Sequence, residues 1–514
     1  MATAPSLAGL ELQPLHAAAP AWRSPVDPAA WRRAFEAAAG AGARLGALWA
    51  SDERDRGKGL AVHALIVAFE GLVCLDLELA GDEYPDVSDL FPAAARMQRT
   101  IRDLLGVGSG ADARGWVRHG AWRADAFPLR RDSRGELELP AGDPRYDFVR
   151  VDGQAVHEIG VGPVHAGTIE PGHFRFSVVG ERVLKLEERL GYKHKGIERR
   201  FQGLALEDGA RLAARVSGDS TVAYGWAYAQ AVESATGIRP AARASWLRAL
   251  FLERERVANH LGDLGALGND AGLAFGLFQF SRLKEDVLRA NERLFGHRYL
   301  MDRVVPGGVS ADLDASGAAY LLGEADTLER EVVTLRSIYE DHAGLQERCI
   351  NCGRLTPQTA ARLGVVGVVA RASGIAIDAR GHPSMEPYGT LAPRVWTHRG
   401  GDVAARMVVR FDELLESLAL QRQIVDSLPA PGAHSGGGAT PREYAFGVGW
   451  VEGWRGEVFV AVDIGPDGRI RRCHPHDPSW QNWPALEHAV LGNIVPDFPL
   501  INKSFNLSYA GADL

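Results

Sequence analysis

At 514 residues the chain is too long for one ordinary hydrophobic core and is read as two or more domains. Hydrophobic residues at 46% and charged residues at 24% are the balance of a soluble globular protein, while a net charge of −8 leaves no basic footprint for nucleic acid or acidic lipid. No apolar run of about 18 uncharged residues occurs, so no transmembrane helix is expected. Four cysteines with one close pair point to a reducing compartment without a disulfide scaffold.

Residues 1–27 read as an N-terminal extension; 1–21 is rich in Ala and Pro with no basic residue ahead of an apolar core, which speaks against a secretory signal. Residues 28–107 read as a small α/β domain. In it 29–41 is helix-prone, 60–67 and 72–79 read as paired strands, and 92–107 has helical spacing through Met97, Ile101, Leu104 and Leu105. Residues 108–147 are rich in Gly, Asp and Arg and read as an extended linker ending near Pro140 and Pro144.

The remainder, 148–514, reads as mainly helical. The stretch 245–268 carries a stripe through Leu247, Leu250, Phe251, Val257, Leu261 and Leu264, with Ser245 as N-cap. A second long helix spans 403–428 through Met407, Phe411, Leu414, Leu418 and Val425. Strands 457–464 and 469–473 flank Gly465-Pro466-Asp467-Gly468, a hairpin signal. The fold class expected is α+β: a small N-terminal α/β domain, then a large helical domain with peripheral β hairpins.

The second domain opens on Gly162-Pro163-Val164-His165, Glu170-Pro171-Gly172-His173-Phe174 and Leu190-Gly191-Tyr192-Lys193-His194-Lys195-Gly196-Ile197-Glu198. Further along stand Glu255-Arg256-Val257-Ala258-Asn259-His260-Leu261, Pro306-Gly307-Gly308-Val309, Ala370-Arg371-Ala372-Ser373-Gly374-Ile375 and Trp454-Arg455-Gly456-Glu457. In this order the set resembles the large subunit of membrane-bound, energy-converting nickel–iron hydrogenases and the related quinone-side subunit of respiratory complex I. In the front domain, Tyr84-Pro85-Asp86-Val87, Arg102-Asp103-Leu104-Leu105-Gly106 and Phe127-Pro128-Leu129-Arg130-Arg131-Asp132 resemble the small hydrophilic subunit of complex I. Formate-hydrogenlyase-type hydrogenases carry that subunit fused ahead of the large one, so the resemblance covers nearly the whole chain and implies a hydrogenase-large-subunit-like fold over 148–514.

The resemblance also implies two cysteine-bearing frames that hold nickel and iron. Arg215-Val216-Ser217-Gly218-Asp219-Ser220 matches the R-x-C-G-x-C frame, and 504–511 matches D-P-C-x-x-C. Ser217, Ser220, Ser508 and Gly511 stand in the four cysteine places. Soft thiolates suit these metals, whereas a serine hydroxyl is a hard donor that resists deprotonation and glycine offers nothing. The expectation is therefore that the chain binds no metal or other cofactor, that its serines cap helix or turn ends, and that iron–sulfur clusters reside in partner subunits. Tyr224 replaces the histidine that follows the first frame and is a candidate pocket residue, and Leu514 stands at the closing histidine. The histidine and tyrosine that meet the quinone in complex I correspond here to Ile169 and Gly218.

What the resemblance retains is Glu170, matching the glutamate that passes protons to and from the metal centre, a role suited to a carboxyl raised by desolvation. Arg455 matches the arginine that faces the iron ligands and suits an anion or polar substrate. His173 and Asp219 are candidate neighbours.

Cys349-Ile350-Asn351-Cys352, near His342, has zinc-like spacing without a second pair and is read as incidental. His474-Pro475-His476-Asp477 is read as a solvated loop and Gly436–Gly438 as a linker, and no nucleotide fingerprint supports NAD binding. The functional expectation is a subunit on the cytoplasmic face of a complex-I-like membrane assembly, against an iron–sulfur small subunit and an integral membrane subunit. It would couple electron transfer or protonation to ion translocation without nickel–iron chemistry. The alternatives are a non-catalytic scaffold, or a reductase of a quinone or other small acceptor held by a different dyad such as Tyr224 with Glu170.

Overall fold

The computed structural model describes residues 4–133, 146–166, 169–432 and 444–514; the expected linker end at 140–144 and the glycine run at 436–438 lie outside them. The first unit is a five-stranded sheet with helices on one face. Its elements are β1 (Gln13–Leu15), β2 (Ala21–Val26), α1 (Pro28–Gly40), β3 (Arg44–Asp52), β4 (Leu60–Ala68), β5 (Gly71–Glu78) and α2 (Ala94–Leu105), with strand order β1-β2-β5-β4-β3. Asp27 caps α1 by accepting from the Ala30 N–H, and Pro28 fills a first-turn position that needs no donor. The residues read as an N-terminal extension thus supply two strands, β2 pairing in parallel with β5 from Ala21↔Leu72 to Val26↔Leu77.

The strands run apolar rather than alternating because both faces of the sheet are covered. Leu48, Val62, Ala64, Val73 and Leu75 pack with Trp31, Phe35 and Met97 of the two helices. Ala47, Trp49, Leu65, Leu72 and Cys74 share a second core with the large domain. Ion pairs close the seam: Arg56 reaches Asp463 at 2.6 Å, and Arg471 reaches Glu53 at 2.6 Å and Asp55 at 2.9 Å.

The large domain begins with an antiparallel sheet of β6 (Val156–Val161), β7 (His173–Val179) and β8 (Arg182–Arg189). Helices follow: α3 (Ile197–Phe201), α4 (Leu206–Ala213), α5 (Thr221–Thr236), α6 (Ala242–Asp270) and α7 (Ala274–Phe295). A short ladder of β9 (Val304–Val305) and β10 (Gly308–Val309) leads into α8 (Ala315–Asp341) and the short helices α9 (Ala343–Cys349), α10 (Pro357–Leu363), α11 (Gly367–Ala372) and α12 (Tyr388–Leu391). The long α13 (Val403–Ser427), capped by Asp402, packs on α6 and α8. The chain closes with β11 (Phe446–Gly453), β12 (Gly456–Ile464), β13 (Ile470–His476), α14 (Ser479–Ala489), α15 (Phe498–Phe505) and α16 (Tyr509–Asp513).

Two expectations change in this domain. Helix α6 begins at Ala242, behind Ala241 in extended backbone just after Pro240, so Ser245 lies inside it rather than capping it. The hairpin over 465–468 is present, but its sheet is buried along all but the first residue of β11, and β11 lies directly on α5. Gly447 and Gly449 permit this: a Cβ at either would strike the Ala231 or Ala227 carbonyl. His474 and His476 therefore sit in a buried strand rather than a solvated loop. His474 stacks on Trp49 of the small domain at 5.2 Å between ring centres and bonds Glu198 at 2.7 Å.

Candidate functional site

The first frame occupies the turn between α4 and α5. Ser220 holds the N-cap position of α5, although its hydroxyl makes no cap hydrogen bond. The second frame links α15 to α16 through Asn506, whose φ of 46° reverses the chain. Ser508 caps α16, its Oγ accepting from the Gly511 N–H at 2.9 Å. The two frames, 291 positions apart in sequence, meet where Ser217 Oγ lies 3.0 Å from Ser508 Oγ.

Arg455, at the tip between β11 and β12, ties them together. Its guanidinium grips the Asp219 carboxylate through two bonds of 2.9 and 2.6 Å, and its Nε donates to the Asn506 carbonyl at 2.6 Å. The Arg455 plane also lies 3.9 Å from the Trp454 ring centre. Burial alone would raise the Asp219 carboxyl, but the Arg455 charge and the Ser217 hydroxyl outweigh it and hold the group at about 2. Asp219 lies deep in the fold yet keeps 38% of its side-chain surface, turned to a cleft.

That cleft encloses about 230 Å³ and is lined by Ile169, Glu170, Ser217, Gly218, Asp219, Arg455, Lys503, Ser508 and Tyr509 among others. Glu170 sits at its edge rather than in a desolvated interior, with 35% of its side chain exposed. Its Oε2 accepts from the Ala510 N–H at 3.0 Å, and Lys193 Nζ lies 3.8 Å from Oε1. The structure thus brings Glu170, Asp219, Arg455, Ser217 and Ser508 to one cleft.

Four expected residues lie outside it, the first being Ser220, which is buried with its hydroxyl accepting from Arg455 at 3.3 Å. His173 lines a separate cleft with Phe148, Arg175 and Tyr192, its Nδ1 3.2 Å from the Gly162 carbonyl oxygen, because the first residue of β7 turns away from the loop carrying Glu170. Tyr224 is fully buried and donates to Asp477 Oδ2 at 2.7 Å, so it forms no dyad with Glu170. Gly511 is packed on the same Asp477: a Cβ at 511 would lie 2.6 Å from its Cγ and closer still to Oδ2.

Sequence reasoning misses several polar residues around the frames. Asp477 accepts from the Ser479 N–H at 2.8 Å, and the Ser479 hydroxyl accepts from the Ser508 N–H at 2.9 Å. Glu255 accepts from the Val222 and Ala223 N–H groups at the start of α5, at 2.6 and 3.2 Å. Burial nonetheless pushes its carboxyl up to about 8. Asp513 accepts from the Gly191 and Lys193 N–H groups at 2.9 and 2.8 Å, and burial lifts it to about 7. Glu255 is visible in the motif that runs from Glu255 to Leu261, but only its place at a helix N-terminus gives it a role.

Cys349 and Cys352 are buried thiols pushed up to about 12 and about 11, chiefly by desolvation, and nearby His342 caps α9. Among the described residues no group of three or more His, Cys, Asp or Glu side chains is arranged to hold a metal ion.

Residues 270–443 match the family model of the respiratory-chain NADH dehydrogenase 49 Kd subunit, and residues 25–138 match that of the 30 Kd subunit. Formate hydrogenlyase subunit 5 of Escherichia coli (strain K12) is 31% identical over 92% of this chain and 85% of its own length. Hydrogenase-4 component G of the same organism is 32% identical over 84% and 76%. The carbon monoxide-induced hydrogenase of Rhodospirillum rubrum is 30% identical over 68% and 98%. Among solved structures, a chain of the membrane-bound sulfane sulfur reductase, an archaeal respiratory membrane complex, shares the fold with a TM-score of 0.66 at 24% identity, covering 70% of this chain and 99% of that one.

Proposed function

The chain belongs to the fused large-subunit family of energy-converting hydrogenases and complex I, and from that premise we propose that it is a peripheral subunit of a complex-I-like oxidoreductase working without nickel–iron chemistry. One observation carries the reading. Three of the thiolate places carry hydroxyls: Ser217 bonds Ser508 and Asp219, and Ser220 accepts from Arg455, while the fourth place is a glycine packed on Asp477. Such a set supplies no soft anionic ligand and does not fit a thiolate-held centre.

In this reading the chain lies on the cytoplasmic face, electrons arrive through iron–sulfur clusters on a partner small subunit, and an integral membrane subunit provides anchorage. No helix among the described residues is long and apolar enough to cross a membrane. Glu170, about one-third exposed and lining the same cleft as the Asp219–Arg455 pair, is the group placed to exchange protons there and so to link redox change to ion translocation. The open side of Asp219 favours a second reading, reduction of a small polar acceptor held in the cleft.

The test is metal analysis of the purified intact complex together with hydrogen uptake and evolution assays. Nickel far below one per complex and no hydrogen turnover are expected. Stoichiometric nickel with hydrogen activity would overturn the proposal.

A further inference from the structure

The Asp477-Pro478-Ser479 turn touches the second frame and the helix that the first frame opens. On one side Asp477 Oδ2 receives the Tyr224 hydroxyl from the first turn of α5, the helix that Ser220 opens. On the other side Ser479 Oγ receives the Ser508 N–H, and Asp477 itself packs under Gly511. The turn is held in shape by the Ser479 N–H donating to Asp477 Oδ1 at 2.8 Å. Asp477 and Ser479 are 1% and 0% exposed, and Tyr224 is fully buried. In a dry setting each of these hydrogen bonds is costly to leave unmade.

Gly511 is not among the residues with positive φ, so space rather than backbone conformation requires glycine there. The obstruction is not the tip of a flexible side chain. Asp477 Cγ as well as Oδ2 falls within contact of a Cβ at 511, and both carboxylate oxygens are engaged.

We infer that the Asp477–Ser479 turn, with Tyr224, is a metal-independent clasp that joins the two ligand frames and sterically closes the fourth ligand place. Asp477 is the positioning residue of this clasp. The inference rests on the reading that the chain works without nickel and iron, and it goes further: the pocket has been rebuilt, so cysteines alone would not restore a thiolate site.

The experiment uses cobalt(II) as probe on the full chain in its complex. A variant carrying Ser217→Cys, Ser220→Cys, Ser508→Cys and Gly511→Cys is compared with the same variant carrying Asp477→Ala, each checked for folding by its melting transition. Thiolate-to-cobalt charge-transfer absorption of a four-thiolate site is expected only when Asp477 is removed. Equal absorption with Asp477 in place overturns the inference, as does its absence from the folded five-fold variant.

Should the cysteine variants not fold, Tyr224→Phe, Asp477→Ala and their combination in the native chain decide it. Asp477→Ala removes the Tyr224 and Ser479 bonds together, so it should lower the melting temperature more than Tyr224→Phe does; the pair should lose no more than Asp477→Ala alone, and all three should speed amide exchange over 507–513. Additive losses with unchanged exchange would overturn the clasp. Nickel and hydrogen activity in the native complex would instead sink the underlying reading, so the two failures are distinguishable.

Discussion

The large domain contains two charge-rich regions built on opposite terms. In the interior between α6, α13 and β11, Arg371 bonds Glu413 at 2.5 Å and Glu452 at 2.9 Å, and Glu253 receives two bonds from Arg380, each of 3.1 Å, with further donors from Tyr388 and Ser417. None of these charged side chains exceeds 2% exposure. In the cleft, Asp219 and Glu170 keep 38% and 35% of their side chains open, and Lys193, which faces Glu170, keeps 43%. The interior charges are paired with one another and dry, with Arg371 Nη2 left without a hydrogen-bond partner among the described residues, and act as scaffold. The cleft charges have partners on one side only, which leaves them free to meet a ligand or a proton.

Breaking a dry pair should therefore cost far more than breaking one in the cleft. Arg371→Met leaves Glu413 and Glu452 buried without their shared cation, and a loss of about 3–5 kcal/mol is expected in denaturant unfolding of the chain. A loss comparable to that of a surface substitution would show that the interior network is not the scaffold. Arg455→Ala removes the clamp between the frames, but water can reach Asp219, and about 2 kcal/mol is expected by the same measurement. Arg455→Lys should recover little of it, since an ammonium cannot reproduce the two-pronged grip on Asp219.

The same contrast has a pH signature. Burial holds His476 at about 3, below its ordinary 6.5, so its contribution to stability is complete above 6.5 and is lost as pH falls toward 3. Glu255 is the opposite case: burial lifts it from 4.5 to about 8, so its contribution is complete below 4.5 and is lost as pH rises through 8. Melting temperature followed against pH should accordingly fall on both sides of an intermediate optimum. Glu255→Gln should flatten the alkaline limb and leave the acid limb in place. An unchanged alkaline limb would mean that Glu255 is ionised in the fold.

Much of this is legible in the sequence, and what is not shares a cause. The frames, Arg455 and Glu170 stand out because local motifs carry them, and the long helices because their apolar stripes repeat every three to four residues. Residues 13–26 read as an extension because Pro14, Pro20 and Pro25 mask the strand signal, and because their pairing with β5 joins positions far apart in sequence. Asp477 is invisible as a functional neighbour because His-Pro-His-Asp-Pro-Ser has the composition of a loop. Only the burial of β13 beneath the small domain delivers its carboxylate to Gly511. The position of Tyr224 after the first frame points it to the pocket, but one turn of helix carries its hydroxyl inward to Asp477 instead.

The smallest expected change in stability is the one that most directly separates the two regions. Glu170 accepts one backbone N–H and faces Lys193 at a distance that water screens, so Glu170→Gln should alter unfolding free energy by no more than about 0.5 kcal/mol. The amide keeps an oxygen for the Ala510 N–H and loses the ability to take up a proton together with a charge already screened from Lys193. If the cleft exchanges protons through Glu170, turnover of the intact complex with its own donor and acceptor should fall in this variant while its melting curve stays in place. A variant that is both stable and fully active would move proton exchange to another group, and Asp513, buried in the same tail and lifted to about 7, would be the next to test. A variant that unfolds would instead make Glu170 part of the scaffold and erase the distinction between satisfied and open charge.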